Sequence, residues 1–290
     1  MKEAPLVTRF APSPNGRLHL GHAYSAIVAH DLARAAGGEF LLRIEDIDGP
    51  RSRNEHADEF RRDLEWLGLE WLEVPAQSTR LAQYRAAADT LRERGLLYPC
   101  SLTRREIAAL PSRIGEDGVQ YPGSARGMSD DCDMSDPNGG AALRLDIDRA
   151  MEWVGDIVWS DRVHGNAIAD PRMFGDVVLV RKDLPAVYHL AVTLDDARDG
   201  VTLVTRGRDL LEATHIHRVL QELLELPVPQ WHHHDLILDE NGEKLAKSKG
   251  SAALAERREA GEDGHLLAEQ LRLRAPRSWN LSRAVPFNQA

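Results

Sequence analysis

Residues 9–22 read Arg9-Phe10-Ala11-Pro12-Ser13-Pro14-Asn15-Gly16-Arg17-Leu18-His19-Leu20-Gly21-His22, and this stretch decides the fold. Leu6 to Phe10 suits a short strand. Pro12, Pro14 and Gly16 then force a loop, because proline fixes φ and glycine frees it. From Gly21 to Ala36 the pattern is helical, closed by Gly37-Gly38. The next run, Glu39-Phe40-Leu41-Leu42-Arg43-Ile44-Glu45, reads as a buried strand. Strand–helix–strand order over so short a span predicts a parallel sheet and a nucleotide-binding α/β fold. The loop-to-helix junction offers unpaired N–H groups and a partial positive charge, which suit phosphate. Gly21 admits a nucleotide close to the backbone. His19 and His22, three apart, face one ligand and bring donors for phosphoryl oxygens. Taken alone, so short a motif is more often a loop with incidental histidines. The residues upstream of it reverse that balance.

Far downstream the chain reads Lys244-Leu245-Ala246-Lys247-Ser248-Lys249-Gly250, after the strand-like His234–Leu238 and a turn at Asp239–Gly242. A lysine-bearing loop in that place can close over ATP and neutralise charge moving onto departing pyrophosphate. Lysine suits the task as a mobile point charge. An exposed charged turn is the plainer reading of this segment by itself.

The two segments, in this order and more than 200 residues apart, resemble the two signature motifs of class I aminoacyl-tRNA synthetases. Ala11-Pro12-Ser13-Pro14 after Arg9-Phe10 is similar to the glutamate-specific branch, where the glutaminyl form reads Pro-Pro-Glu-Pro. Arg43-Ile44-Glu45-Asp46-Ile47-Asp48, with Arg51-Ser52, also resembles that branch, as do Tyr188-His189-Leu190-Ala191-Val192 and Thr205-Arg206-Gly207. The resemblance implies an α/β fold: a Rossmann-like class I catalytic domain with an inserted α+β subdomain and a short helical C-terminal tail. It implies a catalytic set of His19, His22 and Lys247. Arg9, Phe10, Ala11, Pro12, Ser13, Glu45, Tyr188 and Arg206 would line the L-glutamate pocket, with Glu45 on the ammonium. Pro12, His19, Gly21, His22, Lys244, Lys247 and Ser248 would meet ATP, with Mg2+ accompanying it. A substrate with two carboxylates needs cations at both ends, and arginine provides planar, bidentate recognition. Which of Arg9 and Arg206 takes which carboxylate stays open. Ala246 departs from the family's second motif, while the charge-bearing Lys247 is kept.

A full glutamyl-tRNA synthetase continues well beyond the position of Ala290 into an anticodon-binding domain. The catalytic part alone resembles the glutamyl-Q tRNA(Asp) synthetase family, and Asp209-Leu210-Leu211 favours that branch. The resemblance then implies glutamate activation without tRNA, and transfer to the queuosine base of tRNA(Asp). The competing readings are a short glutamyl-tRNA synthetase charging a 3′ end, and a non-catalytic paralogue that binds glutamate or RNA. The presence of His19, His22 and Lys247 argues against the last.

The rest of the chain fits this frame. The expected organisation is residues 1–97 and 188–250 as the two halves of the catalytic domain, 98–187 inserted between them, and 251–290 as a helical end. Residues 112–140 are rich in Gly, Asp, Ser and Pro and read as loop. Asp209 to Leu226 reads as a helix, with Asp209 and Glu212 at capping-box spacing. Residues 254–273 read as helical. The formal charge of −10 excludes a surface coated in nucleic acid, so any RNA contact must use a local patch. No apolar run approaches a membrane span, and the N-terminus lacks a signal-peptide pattern. Cys100 and Cys132 form no CxxC pair, so a cytoplasmic protein, expected as a monomer, is the plain reading.

The family often carries a structural zinc near Leu97. Here Cys100 and Tyr121 persist, but Leu102 and Ala125 cannot ligate, and one thiolate with one phenol does not make a tetrahedral site. Zinc is therefore expected to be absent. In His232-His233-His234 only the first and third share a strand face, which argues against a metal. Trp66, Trp71, Trp153 and Trp159 read as core or interface packing.

Overall fold

The computed structural model describes residues 5–102, 105–106, 114–115, 118–119, 141–237 and 252–273. The chain opens with β1 (Val7–Phe10), α1 (Leu20–Ala35), β2 (Glu39–Leu42), α2 (Asn54–Trp66), β3 (Leu72–Glu73) and α3 (Leu81–Glu93). Next come β4 (Leu97–Cys100), the small pair β5 (Ile114–Gly115) and β6 (Gly118–Val119), β7 (Ala142–Leu145) and α4 (Ile147–Val154). Then follow β8 (Val158–Asp161), β9 (Gly165–Ile168), β10 (Val178–Val180), α5 (Tyr188–Arg198), β11 (Leu203–Gly207), α6 (Ala213–Leu223) and β12 (Gln230–His234). Helices α7 (Leu254–Glu259) and α8 (Gly264–Leu273) close the described chain.

β1, β2 and β3 pair in parallel, and β11, β12 and β8 form a second parallel set that ends in the antiparallel hairpin β8–β9. The two sets meet at β1 and β11: Thr202 N donates to Val7 O at 3.0 Å, and Val7 N donates to Thr202 Oγ1 at 2.9 Å. Strand order therefore reverses between β1 and β11. In an open α/β sheet a ligand binds at the carboxyl ends of the strands flanking such a reversal.

Residues alternate across these strands. Val7 and Leu41 join a cluster with Leu91, Leu190, Ile216 and Leu220, while Phe10, Phe40 and Leu42 join Ile27, Phe60 and Leu64 on the other face. The helices follow the complementary period. In α6, Ile216, Val219, Leu220 and Leu223 are buried at the i, i+3, i+4, i+7 positions of one apolar stripe. Leu97, Leu145 and Leu179 belong to the same cluster as Val7 and Leu190, so one core unites residues from the sheet and from strands outside it. Among the described residues no helix is long and apolar enough to cross a membrane.

Three sequence expectations change. Asp209 does not cap the helix after it. Residues 208–210 form a short 3-10 turn, α6 begins at Ala213, and Glu212 occupies the N-cap position without a side-chain cap bond. The strand expected at His234–Leu238 ends at His234, because its partner β11 ends opposite at Gly207 and offers no further ladder. The single helix expected over 254–273 is two helices, parted at Gly261, whose φ of 81° is glycine's region. Trp153 is 58% exposed, with the Arg94 guanidinium 5.9 Å from its ring, whereas Trp159 is buried. Most of residues 112–140, together with Tyr121 and Ala125, lies outside the described residues, while Cys100 is buried at the end of β4, opposite Ala142.

Candidate active site

A cleft of about 410 Å³ opens at the β1–β11 reversal. Its walls include Arg9, Phe10, Ala11, Pro12 and Ser13 from the end of β1, and His19, Gly21 and His22 from the start of α1. Glu45, Tyr188 and Arg206 complete the set that the sequence brought forward. Lys244, Lys247 and Ser248 lie outside the described residues.

The two motif histidines cap α1 themselves. Gly21 N donates to His19 Nδ1 at 3.1 Å, and His19 N donates to His22 Nδ1 at 3.2 Å. Both rings accept at Nδ1, so in the neutral form each carries its proton on Nε2. Their centroids lie 3.8 Å apart. The junction thus presents a helix N-terminus with two imidazole N–H donors, an arrangement suited to phosphoryl oxygens.

The two arginines differ in their partners. Arg9 Nε meets Asp196 Oδ1 at 2.9 Å, its Nη2 meets Asp196 Oδ2 at 3.2 Å, and its Nη1 donates to Thr205 O at 3.0 Å. Its charge is already balanced. Arg206 is equally buried, yet among the described residues no carboxylate forms an ion pair with it. Neutral groups surround it instead. Nε donates to His233 Nε2 at 3.0 Å, Nη1 to the Tyr188 hydroxyl at 3.2 Å and to His217 Nδ1 at 3.2 Å, and Nη2 to Thr214 Oγ1 at 2.7 Å. Four of the five guanidinium N–H donors are spent on these acceptors, and one N–H of Nη2 is left for a ligand. Burial pulls the Arg206 pKa down, with Tyr188 opposing, but guanidinium remains charged at neutral pH. A buried cation without an anion is costly unless a ligand supplies one.

Glu45 brings an acid to the same cleft. Glu45 is buried, with Arg43 Nη2 3.2 Å away. Burial raises its pKa, and Arg43 and Arg9 partly offset that. Arg43, wholly enclosed, also reaches Asp196 at 2.8 Å and Asp199 at 3.0 Å. Arg80 holds Asp195 at 3.0 Å and Asp199 at 2.8 Å. Within this network Arg9, Arg43 and Arg80 face Glu45, Asp195, Asp196 and Asp199, which leaves one negative charge in excess. Arg206 carries one positive charge in excess. The cleft therefore carries one unbalanced charge of each sign, complementary to the ammonium and one carboxylate of a small amino acid.

Several cleft and supporting residues escaped the sequence reading. Tyr24, Ser25, Asp209 and His234 line the cleft. His234 Nε2 lies 2.8 Å from Ser25 Oγ and stands edge-on to Tyr24, which ties β12 to α1. Asp161, Thr214, His217 and His233 act from behind Arg206. Only the density of histidine in residues 215–217 and 232–234 hinted at them. Among the described residues no group of three His, Cys, Asp or Glu could hold a metal ion.

Comparison with known proteins agrees with this geometry. The family model for tRNA synthetases class I (E and Q), catalytic domain, matches residues 5–279. The glutamyl-Q tRNA(Asp) synthetase of Rhodobacter capsulatus is 48% identical over 272 residues, covering 88% of this chain and 96% of that protein. That of Deinococcus radiodurans is 42% identical, covering 96% of this chain and 91% of its own length. The crystal structure of the glutamate-tRNA synthetase from Elizabethkingia anophelis superposes with a TM-score of 0.71 at 26% identity, covering 85% of this chain but 53% of that one. The chain thus spans about half the length of that synthetase. A polarised cleft at the strand reversal, walled by a histidine-capped helix, and near-full-length kinship with the short synthetases have one explanation: the chain belongs to the glutamyl-Q tRNA(Asp) synthetase family of class I synthetases.

Proposed function

We propose that the chain activates L-glutamate with ATP, without tRNA, and transfers it to the queuosine base of tRNA(Asp). The observation that carries the amino-acid specificity is Arg206, a buried cation whose partners are all neutral. The side-chain carboxylate of glutamate would supply the missing anion, accepting from Arg206 Nη2 and the Tyr188 hydroxyl. Glutamine, uncharged there, would leave the cation uncompensated. Glu45 would take the ammonium.

In the first step an α-carboxylate oxygen of glutamate attacks the α-phosphorus of ATP. A P–O bond forms and pyrophosphate leaves with the electrons of the broken bond. His19 and His22 would donate Nε2–H to phosphoryl oxygens as charge builds. Lys247, assigned from sequence alone, would meet the departing pyrophosphate. Mg2+ would enter chelated by the phosphates of ATP. In the second step a hydroxyl of the cyclopentene ring of queuosine attacks the activated carbonyl, and AMP leaves. Positioning and fixed charge do most of this work. We propose further that the chain acts as a monomer in the cytoplasm and without structural zinc. Metal analysis finding one tightly held zinc per chain would overturn the last point.

ATP–pyrophosphate exchange tests the first step. Exchange with glutamate and no tRNA is expected, and exchange that demands tRNA would overturn the reading. Mass spectrometry of nucleosides from tRNA(Asp), after incubation with enzyme, ATP and glutamate, tests the second. Glutamate found on a 3′-terminal adenosine instead of on queuosine would reassign the acceptor.

A further inference from the structure

Behind Arg206 stands a carboxylate that touches neither the cleft nor the guanidinium. Asp161 ends β8, where that strand joins the main sheet opposite Trp231. Its Oδ2 lies 2.6 Å from His233 Nδ1 and accepts the His233 backbone N–H at 3.1 Å. Its Oδ1 accepts the backbone N–H groups of Val163 at 2.7 Å and His164 at 2.8 Å. The side chains of Asp161 and His233 are fully enclosed.

We propose that Asp161 is a positioning residue for amino-acid recognition, fixing through the tautomer of His233 the guanidinium of Arg206 that receives the substrate carboxylate. Ionised Asp161 only accepts hydrogen bonds, so His233 must carry its proton on Nδ1. Nε2 is then bare and accepts Arg206 Nε–H. A proton on Nε2 would confront that donor and turn the fork out of place. Thr214 is compatible with this order: its oxygen accepts from Arg206 Nη2 at 2.7 Å, and its hydroxyl, 3.3 Å from His233 Nε2, can share that lone pair. A second ring works in parallel. His217 Nδ1 accepts from Arg206 Nη1, so its proton lies on Nε2, directed at His189 Nδ1 3.1 Å away.

The charge states agree. Burial drives His233 down to about 4, against the Asp161 hydrogen bond. Burial pushes Asp161 up, but the His233 hydrogen bond and the backbone N–H groups of His164 and Val163 outweigh it and hold it at about 2. At neutral pH the pair is an anionic carboxylate and a neutral imidazole. Arg206 thus receives a lone pair from His233 without a second charge beside it, and the remote carboxylate stabilises the donated proton. The logic is that of outer-layer groups that orient a ligand-binding histidine in other sites.

The inference rests on glutamate as the amino acid recognised at Arg206, and two measurements separate the two claims. The first is the tautomer of His233 in the substrate-free protein, read from long-range proton–nitrogen spectra of 15N-histidine protein and assigned by loss of the signal in His233→Gln. A protonated Nδ1 with a bare Nε2 is expected, and a protonated Nε2 overturns the proposal. The second is exchange kinetics of Asp161→Asn. With the amide oxygen towards Val163 and His164, the NH2 group meets both donors of His233, its ring Nδ1–H and its backbone N–H, so the variant inverts the ring tautomer and also removes one main-chain acceptor. The KM for glutamate should rise about ten- to hundredfold, with the KM for ATP changed by less than about twofold. An unchanged KM for glutamate overturns the proposal, as does a parallel rise in both constants, which marks general disruption. If Asp161→Asn does not fold, the wild-type spectrum decides alone. Wild-type exchange that ignores glutamate would instead sink the substrate assignment and leave the tautomer result standing.

Discussion

Arg206 concentrates the chemistry of the cleft in one side chain. Its fork is held by four neutral acceptors, so its geometry matters as much as its charge. Arg206→Lys keeps the charge but cannot reach His233, Tyr188, His217 and Thr214 together. Removing one partner of a buried charged pair costs roughly 2–4 kcal/mol. We therefore expect kcat/KM for glutamate to fall by about 30- to 1000-fold, with the KM for ATP largely kept. A loss confined to ATP would remove Arg206 from the amino-acid site. The same neighbourhood sets an acid limit. Burial lowers His189, His232 and His233 to about 4, below the ordinary value near 6.5. The unfolded chain binds protons at these positions first, so their contribution to stability is full above pH 6.5 and is lost as pH falls towards 4. Asp63, raised by burial to about 6, and Glu45, raised likewise, work in the opposite direction, but burial also lowers His215, His217 and His234, which side with the first three. The melting temperature should drop between pH 6.5 and 4, and His232→Asn should make that drop shallower. A flat profile over that interval would mean these imidazoles titrate normally. At this scale Arg9, His19, Glu45 and Arg206, which the resemblance picks out, all line one cleft. Asp161 and Thr214 stayed hidden, because a supporting group is defined by a neighbour distant in sequence.

Among the elements, β1, α1 and β2 were legible because local signals agree there: apolar period, glycine stop and proline loop all point one way. Elements whose bounds depend on tertiary partners were misread. β12 stops where β11 stops, and α6 starts late because the 3-10 turn at residues 208–210 carries the chain past the cleft. The closing helices show the same dependence. α8 starts at Gly264, where an added Cβ would lie 2.1 Å from the Trp66 carbonyl oxygen. The approach lets α8 pack on α1 and against the end of α2 at Trp66, while α7 packs along α2; Leu267, Ala268 and Leu271 join the core. Arg258 pairs with Asp63, and Arg272 with Asp31, along this seam. Backbone cannot yield as a flexible side chain does. Gly264→Ala should therefore cost about 1–3 kcal/mol, read as a lower urea midpoint. An unchanged midpoint would mean that α8 shifts without loss.

Across the whole molecule, the sheet halves are separated by a long segment and must find each other. The apolar core joins them, and so does the buried ion network. Arg43, following β2, reaches Asp196 and Asp199 of and beside α5, some 150 residues away. Arg80 adds Asp195 and Asp199, and the Tyr84 hydroxyl donates to Asp195 at 2.8 Å. None of this was legible, since Asp195-Asp196 in the sequence shows a pair of acids without showing what balances them. Such a network adds little over a well-packed apolar core, yet breaking it from one side strands the remaining charges. Arg43→Ala would leave Asp196 to Arg9 alone and Asp199 to Arg80 alone. We expect a loss of about 3–5 kcal/mol. Because Asp196 also holds Arg9 in the cleft, glutamate exchange should weaken in the protein that still folds. Urea unfolding followed by tryptophan fluorescence and far-ultraviolet dichroism checks both points. Coincident transitions at a lower midpoint would show that the network couples the halves into one unit. Separate transitions in the variant would show that Arg43 had been what made unfolding all-or-none. An unchanged midpoint would assign the union to the apolar core, and leave Arg43 the narrower task of steadying Asp196 and Glu45 beside the substrate.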